Sequence, residues 1–269
     1  MSPGDHRPIG VFDSGVGGLT VLRALVERLP HESTVYLGDT ARVPYGTKSA
    51  EVVTRYSLRN AELLLRQDVK LLVVACNTAS AVALPALAAR LQIPVLGVID
   101  PGARAAAART RSGKVGVIGT QGTVRSGAYQ RALEAARPGV QVLSRACPLF
   151  VPLAEEGWTS GEVPRLVARR YLEEFAGAGV DTLVLGCTHY PLLKGVIAEV
   201  VGPGVELVDS AEATAVTVAA LLAARGGEAS PSAEPIHRYF LTDVPERFAD
   251  LAARFLGQPV QDVEQVDIS

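Results

Sequence analysis

Short apolar runs alternate with helical periods along the whole chain. Residues 9–13 (IGVFD) are a first apolar run and predict a strand, with Gly15, Gly17 and Gly18 punctuating its exit. Leu22, Leu25, Val26 and Leu29 recur at helical spacing, which predicts a helix over 19–29 that stops before Pro30. A strand over 34–39, a loop with Pro44 and Gly46, and a helix over 49–67 follow. Residues 69–75 read as the apolar run of a parallel strand buried on both faces. A helix over 78–91 and a strand over 95–99 come next. The rhythm then begins again, with strands expected over 114–119, 140–144, 182–186 and 205–208 and helices over 124–136, 162–178, 192–201 and 211–224. A looser stretch carries Cys147, Pro148, Pro152 and Trp158, and residues 226–235 read as an exposed Gly/Pro/Ser-rich loop. A strand over 237–241, a helix near 245–256 and a strand over 260–266 close the chain.

Strands alternating with helices imply an α/β fold with mainly parallel sheets and right-handed crossovers. A faint internal duplication divides it. Residues 10–19 (GVFDSGVGGL) pair with 116–123 (GVIGTQGT), and 71–80 (LLVVACNTAS) pair with 182–191 (TLVLGCTHYP). The expectation is two pseudo-symmetric domains. The first takes residues 1–99 and is completed by 210–269, the second takes 100–209, and the functional site lies in the cleft between them.

Composition narrows the function classes. With 269 residues, 48% of them hydrophobic and 20% charged, the chain is long enough for two modest cores and too apolar for a disordered protein. The formal net charge of −2 lacks the basic surplus of a nucleic-acid-binding protein. No apolar run reaches the roughly 18–20 residues that span a bilayer, and the polar start 1–8 is unlike a signal peptide. No membrane or nucleic-acid partner is expected, and a cytoplasmic location is. Three cysteines, an odd number, are expected to be free thiols.

Cys76 and Cys187 each end a buried strand just before a helix, where open α/β sheets hold their ligands. Free backbone N–H groups there favour anions and can depress a thiol's pKa. Free cysteine is often plain core filling. Here both thiols share the pseudo-repeat, and each has polar escorts: Asn77, Thr78 and Ser80 after one, Thr188, His189 and Tyr190 after the other. That favours chemistry at these two positions. Cys147, in ACPLF, has no such escort and reads as packing.

Asp13 ends the first strand ahead of Ser14 and a glycine-rich turn. The turn matches neither GxxxxGK[ST] nor a convincing GxGxxG, so a nucleotide loop is disfavoured. Asp13 either caps the next helix or contacts a substrate ammonium or a thiol. Asp39, before Pro44, Tyr45 and Gly46, is structural or orders the site. His189, two residues past Cys187, is placed to tune or relay that thiol's proton. Glu155 and Glu156 have modest claims. CxxC and HxxxH spacings are both absent, so no metal site is expected.

The strings GVFDSGVGGLTVL (10–22), LGDTARVPYG (37–46), VVACNTASA (73–81), VIGTQGT (117–123), LVLGCTHYPLL (183–193) and VDSA (208–211) together resemble the glutamate racemases of the aspartate/glutamate racemase superfamily. They run in order across nearly the whole chain. His189 in GCTHYP matches the glutamate branch, where aspartate racemases typically carry Glu. The resemblance implies two α/β domains around a buried site, often in a homodimer. It implies paired acid and base thiols at Cys76 and Cys187, supported by Asp13 and His189. Substrate contacts would fall at Asp13, Ser14, Tyr45, Gly46, Asn77, Thr78, Thr188 and His189, with Thr123 in a further motif near the substrate. It also implies no cofactor and a product, D-glutamate, that feeds peptidoglycan synthesis. Some members carry a long N-terminal extension linked to activation; only eight residues precede the first strand here, so that regulation is not expected.

Racemisation removes the Cα proton and returns one on the other face. No lysine stands in a plausible Schiff-base context, so a thiolate and a thiol on opposite sides are expected to do both. The rival readings are a racemase for another amino acid such as aspartate, a hydrolase with Cys187 as nucleophile, and a binding protein that kept the fold. The Cys187–His189 spacing is poor for a nucleophile–base pair.

Overall fold

The computed structural model describes residues 4–244, 248–260 and 262–268. Strand β1 (Ile9–Asp13) is buried throughout, and helix α1 (Leu19–Arg28) lays Leu19, Val21, Leu22 and Leu25 against it. β2 (Thr34–Gly38), α2 (Ala50–Leu65), β3 (Leu71–Val74), α3 (Asn77–Arg90) and β4 (Val95–Gly97) follow. Helix α4 (Ile99–Arg109) leads into β5 (Lys114–Gly119), α5 (Gln121–Ser126), α6 (Ala128–Ala136) and β6 (Gln141–Ala146). Then come α7 (Phe150–Glu155), α8 (Glu162–Ala178), β7 (Thr182–Gly186), a 3-10 turn at Tyr190–Leu193, α9 (Lys194–Val201) and β8 (Glu206–Asp209). α10 (Ser210–Arg225), β9 (His237–Leu241), α11 (Phe248–Leu256) and β10 (Val263–Gln265) complete the chain.

The strands form two wholly parallel sheets. One has the order β10-β9-β2-β1-β3-β4 and the other β6-β5-β7-β8. The second repeats the β2-β1-β3-β4 core of the first, with β5 standing for β1 and β7 for β3, as the internal duplication expects. Each sheet is covered on both faces. Around the first, α1, α10 and α11 build one core layer and α2 and α3 the other. Around the second, α7, α8 and α9 cover one face and α4 and α6 the other.

Several local expectations differ from the structure. The strand expected over 95–99 ends at Gly97, and α4 was not expected at all. Nor was α7, which lies in the stretch read as loose. Both helices carry proline at their third residue, Pro101 and Pro152. Proline is tolerated there because that backbone N–H has no helical acceptor anyway. The helix expected over 124–136 is two helices, broken where Gly127 takes φ 65°. Of the helix expected near 245–256, residues 245–247 lie outside the described residues.

Candidate active site

Both sheets point the carboxyl ends of their strands at one small cavity. In the registers Phe12↔Val74 and Gly119↔Gly186, one or two further residues bring Ser14 alongside Cys76 and Thr120 alongside Cys187. The two thiols therefore hold equivalent places in the two sheets. Both line a cavity of about 80 Å³ together with Ser14, Tyr45, Gly46, Asn77, Thr78, Thr188 and His189. That volume suits a small molecule and is too small for a nucleotide. A wider crevice of about 580 Å³ lies by Arg42, Thr242 and Gln265, but no thiol lines it. Its Arg42 is held by Asp39 and Asn60.

Each thiol is 5% exposed. Cys76 caps α3, its Sγ accepting from the Ala79 N–H at 3.5 Å and donating to Ser14 Oγ at 3.6 Å. The helix N-terminus thus does point at this sulfur. Burial nevertheless pushes its pKa up to about 12, reinforced by the charge of Asp13 and only partly countered by Ala79 and Ser14. Cys76 is a neutral thiol near pH 7, against the expectation of a depressed value. Asp13 lies behind it, fully buried, with one carboxyl oxygen accepting from Gly15 N–H at 3.0 Å and the other making no geometrically good hydrogen bond among the described residues. Burial raises its pKa, opposed by the charge on His189 and by the N–H groups of Gly18, Gly15 and Ser14.

His189 is built into the other side. Burial alone would strip its proton, but Cys187 and Glu155 outweigh burial and raise its pKa to about 10. As an imidazolium it donates from Nε2 to Glu155 Oε1 at 3.0 Å, and its Nδ1 faces Cys187 Sγ at 3.8 Å and Thr188 Oγ1 at 3.4 Å. Gly17 lies close against the Cε1–Nδ1 edge of this ring. A Cβ there would come within 2.5 Å of His189 Nδ1 and 2.4 Å of Thr188 Oγ1. The glycine-rich turn therefore makes room for the histidine.

The remaining polar groups converge from several elements. The Asn77 carbonyl accepts from Tyr129 Oη at 2.7 Å, while its buried Nδ2 has no partner among the described residues. Thr78, Thr120 and Thr123 share hydroxyl hydrogen bonds of 2.8 to 3.3 Å. Tyr45 Oη donates to Asp39 and accepts from Asn60 at 3.1 Å, so Asp39 orders the loop that carries Tyr45 and Gly46. Two of the expected residues, Asp13 and Thr123, do not line the cavity; they support residues that do. Cys147 is fully buried, as expected of packing. Glu155, with only modest claims in the sequence, lines the cavity and pairs with His189, and Thr120, not among the expected residues, lines it too. The pseudo-repeat could have found Thr120, because GVIGT aligns it with Ser14 of GVFDS.

Two like parallel-sheet units facing a small cavity flanked by thiols define an α/β enzyme of the racemase class. The chain belongs to the Asp/Glu/Hydantoin racemase family, whose profile matches residues 9–218. It is 63% identical to the glutamate racemase of Geobacter metallireducens over 97% of each chain. Its structure is similar to the glutamate racemase of Thermus thermophilus in complex with β-chloro-D-alanine, with 52% identity, TM-score 0.89 and 98% of each chain covered. It also matches the glutamate racemase of Francisella tularensis in complex with D-glutamate, with 38% identity, TM-score 0.92 and 98% of each chain covered. No helix among the described residues is long and apolar enough to cross a membrane.

Proposed function

We propose that this chain interconverts L- and D-glutamate, with Cys76 and Cys187 as the two proton carriers. The observation that carries the proposal is that the two thiols reach one small cavity from equivalent strand ends of two sheets. Racemisation needs such an arrangement, because the proton leaves one face of Cα and another arrives on the opposite face. Cys76 keeps its proton near neutral pH, so it donates to one enantiomer while Cys187 accepts from that enantiomer's other face. The Cα–H electron pair stays on the substrate as the proton passes to sulfur, and the new C–H bond takes its proton from the opposite thiol. The reverse reaction exchanges the roles.

Charge that develops on the substrate carboxylate is met by donors already fixed in place: the Asn77 Nδ2, unpartnered among the described residues, the Thr78 and Thr188 hydroxyls and nearby backbone N–H groups. Ser14, Tyr45 and Gly46 complete the substrate's surroundings, with Asp13 behind Cys76 and Thr123 behind Thr78. His189 supports proton transfer at Cys187. The mechanism calls for no cofactor. The glutamate racemases named above support glutamate as the substrate. We further propose that residues 1–99 with 210–269 form one domain and 100–209 the other. The enzyme acts in the cytoplasm as a homodimer and supplies D-glutamate for peptidoglycan synthesis.

Circular dichroism of L- and D-glutamate, and of both aspartate enantiomers, tests the assignment. Loss of optical activity from either glutamate enantiomer, with aspartate unchanged, is expected. Racemisation of aspartate without glutamate would overturn it.

A further inference from the structure

The His189–Glu155 pair is not held by its own sheet alone. Helix α11 belongs to the core of the six-stranded sheet, where Phe248, Ala252, Phe255 and Leu256 are buried. Two of its side chains nevertheless reach the corner of the cavity that carries Cys187. The fully buried Phe255 ring stands 5.0 Å from the His189 imidazole, nearly perpendicular to it at 77°. Arg254 Nη1 donates at 2.6 Å to the main-chain carbonyl of Glu155. Glu155 is the last residue of α7, where a carbonyl has no helical donor of its own. Gly157 lies beneath the same guanidinium: at φ +77°, a Cβ there would come within 2.9 Å of Arg254 Cζ.

We infer that α11 positions the proton-transfer machinery, with Phe255 and Arg254 as positioning residues that hold His189 and Glu155 against Cys187. The inference rests on the two-thiol reading above. The imidazole has Cys187 at Nδ1, Glu155 at Nε2 and Gly17 close against its Cε1 edge. Phe255 supplies a further wall, and without it the ring gains space to turn. Arg254 fixes the backbone from which the Glu155 carboxylate extends. That carboxylate is half exposed, so little else restrains it. A side chain misplaced by about 1 Å can cost roughly 100-fold in rate, so two contacts remote from the substrate can set turnover.

The test uses the full chain carrying Phe255→Ala, Phe255→Leu, Arg254→Ala or Arg254→Lys, each checked by thermal melting. Turnover, KM, pH profiles and primary isotope effects with Cα-deuterated L- and D-glutamate are measured in both directions. Arg254→Ala and Phe255→Ala are expected to lower kcat about 10- to 100-fold with KM within about twofold. The primary isotope effect should rise only for the enantiomer deprotonated by Cys187. The alkaline limb of Arg254→Ala should move to lower pH, because a loosened Glu155 no longer holds the imidazolium, and Arg254→Lys should restore it. Wild-type kcat and isotope effects in folded Phe255→Leu and Arg254→Ala would overturn the inference. So would a fall in kcat with equal isotope effects in both directions and no pH shift, which marks general loosening. If Cys76→Ser and Cys187→Ser also kept wild-type turnover, the two-thiol reading itself would fall. If those two were inactive while the α11 variants behaved as wild type, only the role of α11 would be lost.

Discussion

Cys76 and Cys187 occupy equivalent positions but unlike surroundings. Burial, reinforced by Asp13, holds the proton on Cys76, whereas Cys187 faces the imidazolium of His189. Cys76→Ser and Cys187→Ser are each expected to lower racemisation by about 1,000-fold or more in both directions, since a hydroxyl is a far weaker acid than a thiol and does not ionise near neutral pH to serve as the base. A circular dichroism assay showing either variant within tenfold of wild type would contradict the paired roles. The histidine adds a pH prediction. Its folded pKa, about 10, lies above the ordinary 6.5, so the pairing with Glu155 and Cys187 is fully present below pH 6.5 and is lost as pH rises through 10. NMR titration of the His189 ring should show a protonated imidazole at pH 8. Glu155→Gln should lower that pKa and bring the alkaline limb of activity down with it; an unchanged titration would remove Glu155 from the pair. The two thiols and His189 were legible in the sequence because strand ends and polar escorts mark them. Glu155 was not, because its importance comes from a contact across 34 residues of chain that only packing creates.

At the scale of elements, local pattern worked where periodicity was long and failed where punctuation misled. Strand β1, helix α1 and the buried strands β3 and β7 announce themselves by apolar runs or helical spacing. Helices α4 and α7 stayed hidden because Pro101 and Pro152 look like breakers until they are placed in a first turn. Gly127 shows the opposite error, a glycine read through as helix although it turns the chain in the left-handed region. Gly127→Ala should destabilise the fold by about 1 kcal/mol, the usual order for a Cβ at positive φ, as read from chemical denaturation. Gly17 is constrained differently, by the close approach of His189 and Thr188. Gly17→Ala should cut kcat about 100-fold, because the ring must shift away from Cys187. Wild-type kcat in that variant would show that the turn is not shaped around the histidine.

At the scale of the whole molecule, the repeated strand order was foreshadowed by the internal duplication, and so was the meeting of two strand ends at one cavity. What sequence did not convey is how tightly the two sheets' loops close on each other. Gly46 packs on Thr120, where a Cβ would lie 2.8 Å from that residue's Cβ, and a Cβ at Gly122 would lie 3.0 Å from the carbonyl of Gly46. Thr20 of α1 donates to the Thr188 carbonyl at 3.0 Å on the other side of the cavity. Gly46→Ala should prop the two halves apart and raise KM for glutamate about tenfold, since donors from both must converge on one small anion. An unchanged KM would mean that this contact does not set closure. The most direct test of two thiols on opposite faces is racemisation of L-glutamate in D2O, sampled before equilibrium. Deuterium at Cα of the D-glutamate product, with the unreacted L-glutamate unlabelled, is the expected result. Equal early labelling of substrate and product, or product that keeps its original proton, would point to a single base serving both faces and contradict it.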